Sequence, residues 1–139
     1  MNDAREYLEY FRTTEAKIKL KNKQIQSLQD RLLSLSPSLE QEHVSHTKNV
    51  AVMADTIAII TDIQRDIDQQ TSEIFQRRRE AYQLLDQISP ENATILIARY
   101  FDGKTVQGIS QMIHVTKRQA QRRIKEAIEE LKGVLNKNQ

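Results

Sequence analysis

The segment TVQGISQMIHVTKRQAQRRIKEAIEELKGVL, from Thr105 to Leu135, carries the most structural information in the chain. Thr105 can cap a short helix over Val106–Ile113, with Ile109, Met112 and Ile113 turned inward. His114 and Val115 make a tight turn, and Thr116 caps a second, longer helix. Ala120, Ile124, Ala127, Ile128, Leu131 and Leu135 recur on one face of that helix. A short helix, about three residues of turn and a long helix form a helix-turn-helix unit, whose second helix enters the DNA major groove. Its first turns, Lys117 to Lys125, hold five basic residues and two glutamines without one acid. With Ala120 and Ile124 inward, Lys117, Arg118, Gln121, Arg122 and Lys125 project outward as candidate DNA contacts. Arg and Gln can each make two hydrogen bonds to a base edge, and Lys and Arg neutralise phosphates. Lys104, Thr105, Thr116 and Arg123 flank this face as candidate phosphate contacts. Acids return only at Glu126, Glu129 and Glu130, where the helix should leave the groove.

Towards the N-terminus, Ser89-Pro90 reads as a cap followed by a first-turn proline. The short helix that follows should bury Ala93, Leu96, Ile97 and Tyr100 and stop at Asp102-Gly103, the glycine supplying a left-handed turn. Residues 89–139 thus form a DNA-binding domain of three helices.

Residues 1–88 obey a different period. Phe11, Ile18, Ile25 and Leu32 lie seven apart, with Leu28 and Leu35 three residues on. Met53, Ile60, Ile67, Ile74, Ala81 and Ile88 repeat the spacing, with Val50 and Ile57 on the companion line. A seven-residue apolar repeat winds helices into a left-handed coiled coil. Between the two runs, Ser34 to Asn49 reads as a loop, because Pro37 removes a backbone donor and the Ser, Thr and Asn residues compete for backbone hydrogen bonds. The chain can then reverse. Facing residues of an antiparallel pair have a constant sum. Phe11 with Ile74, Ile18 with Ile67, Ile25 with Ile60, Leu32 with Met53, Leu28 with Ile57 and Leu35 with Val50 all sum to 85. The polar positions Lys21 with Gln64 and Thr14 with Thr71 follow the same rule. Lys17, Lys19, Lys21 and Lys23 would run alongside Asp62, Asp66 and Asp68. The expectation is a long antiparallel helical hairpin, a coiled coil of about 45–60 Å at 1.5 Å per residue. One stripe per helix closes it, leaving Leu8, Leu20, Leu33, Ile59 and Ile63 off the seam; residues 1–88 are therefore expected to serve as a homo-oligomerisation module.

The composition agrees with an all-α chain and removes several chemistries. The 139 residues include three glycines, two prolines and no cysteine, too few breakers for a β-sandwich and none of the glycine spacing of a phosphate loop. Disulfides, thiolate zinc sites and cysteine nucleophiles are absent with the cysteines. His43 and His46 lack partners for a zinc site, Asp62, Asp66 and Asp68 read as ion-pair partners of the lysines, and no catalytic motif appears, so neither an enzyme, a metal nor a cofactor is expected. No apolar stretch approaches the ~20 residues that span a bilayer, nor is there a secretory signal, which points to the cytoplasm. The net charge of +2 is an average: residues 1–88 carry 12 basic and 14 acidic side chains, residues 89–139 carry 9 and 5. Arg77, Arg78 and Arg79 read as surface charge leading into the basic part.

Ser89–Leu135 resembles region 4 of sigma-70-type factors, the reader of the promoter −35 element. Arg99-Tyr100, Gly103, Ile109-Ser110, Val115-Thr116, Arg122 and Ala127–Leu131 fall on that family's fixed points. Ser110 stands where a small Ala is usual, and His114 where Gly is frequent. The whole chain also resembles small phage and prophage proteins with a polar helical segment before a sigma-like tail, near the late-gene transcription activators of the RinA and ArpU type. The core-polymerase and −10 regions of a sigma factor have no counterpart here. The resemblance implies a regulator in a bacterial host cell that binds double-stranded DNA, with RNA polymerase a candidate partner. Two other readings compete: a small terminase-like DNA-packaging subunit, and a protein-interaction adaptor on RNA polymerase or a sigma factor.

Overall fold

The computed structural model describes residues 3–35 and 43–138, without the side chains of 43–47. Among them, α1 spans Ala4–Leu35, α2 His43–Leu85, α3 Pro90–Leu96, α4 Val106–Met112 and α5 Lys117–Lys137. A π-helical turn, Ile97–Phe101, follows α3 directly. No strand occurs among the described residues, and none of their helices is long and apolar enough to cross a membrane. The fold is all-α: a long helix pair followed by the helix-turn-helix domain. By packing, residues 1–15 and 74–139 form one compact unit and residues 16–73 another.

The expected loop is shorter than its residue types suggested. Helix α1 continues to Leu35 and α2 begins at His43, so 43–49 are helical; residues 36–42, Pro37 included, lie outside the described residues. Ser, Thr and Asn cost a helix interior only a few tenths of a kcal/mol each, which a 43-residue helix absorbs.

In unit 16–73, Ile25 and Ile67 are buried and Ile18, Leu28, Leu32, Met53 and Ile60 half-buried, as the seven-residue lines require. The companion line on α2 differs from expectation. Val50 and Ile57 are exposed, the latter by 51%, and Gln64 lies in solvent. Thr56, Ile63 and Gln70 take the inward positions instead, three residues after the main line rather than three before it. Thr56 can be buried because its hydroxyl donates to the Val52 carbonyl at 2.7 Å, leaving no unpaired polar atom. The chosen line also connects, after one additional four-residue step from Ile74 to Arg78, with Ala81, Leu85 and Ile88. Such a step locally unwinds a coiled coil, and apolarity read residue by residue does not reveal it. Lys21, expected opposite Gln64, instead donates to Gln70 Oε1 at 3.1 Å and pairs with Asp66 at 3.9 Å. Of the other two aspartates, Asp62 pairs with Arg65 on its own helix and Asp68 accepts from Gln64.

In unit 1–15 and 74–139, the first turns of α1 and the end of α2 share a core with the C-terminal helices. Ala4, Leu8 and Phe11 are buried with Ala81, Leu85, Ile88, Ile95, Leu96, Ile109 and Leu131. Leu8, expected off the seam, is fully buried because this end of α1 meets more than α2. The Phe101 ring lies 4.7 Å from Phe11 and 5.3 Å from Tyr82, centroid to centroid. Arg78 forms an ion pair with Glu15 and lies over the Phe101 ring, and Arg77 lies 4.5 Å over Tyr10. Arg78, read as surface charge, is half-buried and packs, whereas Arg77 and Arg79 are exposed as expected, Arg77 with its guanidinium over the Tyr10 ring.

Candidate nucleic-acid interface

Helices α3 and α4 both pack on α5. The cap residues Thr105 and Thr116 hold the geometry. Thr105 accepts from the Gly108 amide at 3.0 Å. Thr116 accepts from the Gln119 amide at 3.1 Å while the Gln119 side chain accepts from the Thr116 amide at 3.0 Å, a reciprocal capping box at the start of α5. Between the helices, His114 has φ 59°, the left-handed conformation that a glycine would adopt more easily. The Val115 amide bonds back to the Ser110 carbonyl at 3.0 Å and closes the turn. Gly103, φ 73°, provides the other left-handed residue, ahead of α4.

Ser89 occupies the N-cap position of α3, but its side chain makes no cap bond. Its hydroxyl and amide both donate to the Glu130 carboxylate at 3.1 Å, and Asn92 Nδ2 donates at 2.6 Å. Glu130, expected merely to lie where α5 leaves the groove, therefore ties α5 to the start of α3. The hydrogen bond from Asn92, the largest effect, holds its carboxyl below the usual glutamate range against the opposing effect of burial, with smaller help from the two Ser89 hydrogen bonds.

The apolar face of α5 is as expected. Ala120, Ile124, Ala127, Ile128 and Leu131 are buried and Leu135 half-buried. In α4, Ile109 is fully buried and Ser110 nearly so, while Met112 and Ile113 are half-buried. The α3 segment differs: Ile95, Ala98 and Phe101 are buried with Leu96 and Tyr100, whereas Ala93 and Ile97 are half-buried. The π-helical turn accounts for the burial of Ala98 and Phe101. Asp102 N bonds to Ile97 O and Lys104 N to Ala98 O, both 2.9 Å, and the wider turn rotates the following side chains relative to an α-helix. Arg99 Nη1 donates to the Lys104 carbonyl at 3.0 Å and holds the exit of this turn. No residue pattern signalled the widening.

Lys117, Arg118, Gln121, Arg122 and Lys125 are all exposed on α5. Lys104, Thr105 and Thr116 are exposed, and Arg123 is half-buried. This gives an uninterrupted cationic and amide surface over the first two turns of the second helix, where a duplex approaching a helix-turn-helix meets the protein. Residues of α1 also come near. Arg5, Arg12, Arg99, Tyr100, Gln121 and Lys125 line a cleft of about 480 Å³, with Glu9 among them. Burial pushes the Tyr100 phenol up, Glu9 pushes it further, and Arg5, Arg99 and Arg12 oppose them. Nothing in the residue pattern of α1 places it here, since a coiled-coil period says nothing about what lies beyond the end of the seam.

Residues 78–131 match the family described as Sigma-70, region 4. This segment of the chain is a sigma region 4-like helix-turn-helix, a DNA-binding type of domain. The match begins at Arg78, within the last turns of α2, ahead of the Ser89-Pro90 start signal. Arg78, Ala81, Tyr82 and Leu85 thus belong to the matched region as well as to the long helix. No curated relative and no solved structure matches the chain.

Proposed function

We propose that this chain is a sequence-specific DNA-binding transcription regulator of the phage and prophage type, an activator, acting in the bacterial cytoplasm. The exposed basic and amide face of α5, set on a sigma region 4-like helix-turn-helix, is the observation that supports it. Lys117, Arg118, Gln121, Arg122 and Lys125 are the base and backbone contacts of this reading, with Lys104, Thr105, Thr116 and Arg123 on flanking phosphates. Residues 89–139 do the reading, and the helical hairpin of residues 1–88 joins copies of the chain. Leu20, Leu33, Ile57 and Ile59, all about half exposed or more, support the second part. A symmetric assembly would set two recognition helices on repeated or inverted half-sites.

The test is selection of genomic fragments by the purified protein, followed by gel shifts on the enriched sequence. Arg118→Ala and Arg122→Ala should each weaken specific binding by about 1–3 kcal/mol. Unchanged affinity in both variants removes the residue assignment. A ring of many subunits on packaging sites would favour a terminase-like role, and salt-independent binding to polymerase without DNA affinity would favour an adaptor.

A further inference from the structure

We infer that the cleft between the first turns of α1 and α5 is a seat for a DNA backbone phosphate, so that α1 extends the protein's contact with the duplex. This rests on the DNA-binding reading above and adds a second element to it. Three separate segments bring charge to the cleft: Arg5 and Arg12 from α1, Arg99 from the π-helical turn, and Lys125 from α5. Glu9 is the one carboxylate among the lining residues, and it is held by Arg12 at 3.4 Å. Four basic side chains against one carboxylate leave the cleft net positive, and Arg5, Arg12 and Arg99 all lie near enough to act on the Tyr100 hydroxyl, where Glu9 acts more strongly than any one of them.

Guanidinium groups arranged around a partly desolvated cleft suit a tetrahedral oxyanion, which they can hold through paired N–H donors. The position of the cleft identifies the source of that anion. Gln121 and Lys125 line it and also belong to the exposed face of α5. A duplex seated on that face runs one sugar-phosphate strand past the cleft mouth, and phosphates beside a recognition helix are what position a protein on DNA. The α1 residues lie outside the helix-turn-helix itself and outside residues 78–131.

The experiment measures binding of the full-length protein to the enriched duplex and to a mixed-sequence duplex over a series of salt concentrations. Arg5→Ala and Arg12→Ala should each lower affinity about 3- to 10-fold on both duplexes and flatten the salt dependence by roughly one phosphate contact. Arg5→Lys should keep most of the affinity, and Arg5→Ala, at an exposed position, should melt like the parent. Parental affinity and salt slope in both alanine variants overturn the inference. So does tighter binding, which would mean that α1 obstructs the DNA face. Calorimetric titration with inorganic phosphate and with a nucleoside triphosphate distinguishes the other source of the anion: binding lost in Arg5→Ala, with DNA affinity unaltered, assigns the cleft to a free phosphate compound and overturns the inference. Loss of DNA binding in Arg118→Ala and Arg122→Ala with the cleft variants intact confines the failure to the cleft. A parent protein that binds neither duplex at low salt removes the functional reading as well.

Discussion

The rings of Phe11 and Phe101 lie 4.7 Å apart, tilted at 57°, so the third turn of α1 is part of the core beneath the helix-turn-helix. Phe11 is fully buried, and Tyr7 and Tyr10 meet it edge-on at 5.8 and 5.3 Å. Tilted and edge-on pairs of this kind add to the burial of the rings themselves. Phe11→Ala should therefore destabilise this unit by about 3–5 kcal/mol. Denaturation followed by hydrogen exchange of the buried α5 amides checks it, because those amides report on this unit rather than on residues 16–73, which pack as a unit of their own. A fragment of residues 89–139, stripped of Phe11, Leu8 and Leu85, should lose cooperative melting. A loss below about 1 kcal/mol in Phe11→Ala, the range of surface changes, would show that the ring is dispensable.

Two left-handed residues frame α4, and they should respond in opposite ways to substitution. At Gly103 an added Cβ would meet nothing within 4 Å, so Gly103→Ala carries only the conformational cost of a positive φ, about 1–2 kcal/mol. At His114 the cost is already present, and His114→Gly should be neutral or stabilising by up to about 1 kcal/mol after the added freedom of the unfolded chain. His114→Val, branched at Cβ, should lose at least about 1–2 kcal/mol. Thermal melting of the three variants tests the ordering, and a His114→Val protein that melts like the parent would contradict the assigned turn.

Glu130 makes the junction between α3 and α5 sensitive to acid. Its carboxyl is held below the usual range chiefly by the hydrogen bond from Asn92, so the folded protein binds that proton less readily than the unfolded chain. The resulting stabilisation is complete above the ordinary glutamate range and is lost as pH falls through that range to the folded value. Glu130→Gln should melt below the parent at neutral pH, and the gap should narrow in acid. Because the carboxylate is exposed, the effect should be small. A gap that stays constant with pH would mean that Glu130 acts by shape alone.

Much of this arrangement is readable from residues. Thr105, Thr116 and Gly103 announce the ends of helices through local chemistry, and the α5 stripe from Ala120 to Leu131 follows from period alone. The hairpin lines on α1 are also legible. What could not be read depends on more distant partners. Choosing Thr56 over Ile57 for the seam requires knowing the four-residue step at Ile74 to Arg78, which lies well beyond either residue along α2. The π-helical turn leaves no pattern in Ile97–Phe101, and Phe11 meets Phe101, about ninety positions away in the chain. The basic cleft is of the same kind: Arg5 and Lys125, 120 positions apart, line it together only in the folded chain.

The capping box at Thr116 is where stability and the proposed reading of DNA should separate. Thr116 and Gln119 satisfy each other's backbone amides at 3.1 and 3.0 Å, immediately before Lys117 and Arg118. Loss of an N-cap oxygen costs about 1 kcal/mol and leaves the first turn free to fray. Deeper in α5, Ala120 and Ile124 remain anchored in the core, so the rest of the helix should persist. Thr116→Ala should therefore speed hydrogen exchange at Gln119 and its neighbours while amides beyond Ile124 change only by the global loss. DNA affinity should fall by more than this loss would produce in a protein that remains almost wholly folded, because Lys117 and Arg118 must be ordered again on binding. Thr116→Ser retains the oxygen and should restore both readouts. If Thr116→Ala exchanges uniformly faster along α5 with no change in affinity, the cap serves only the fold, and the first turn of α5 is not a contact surface.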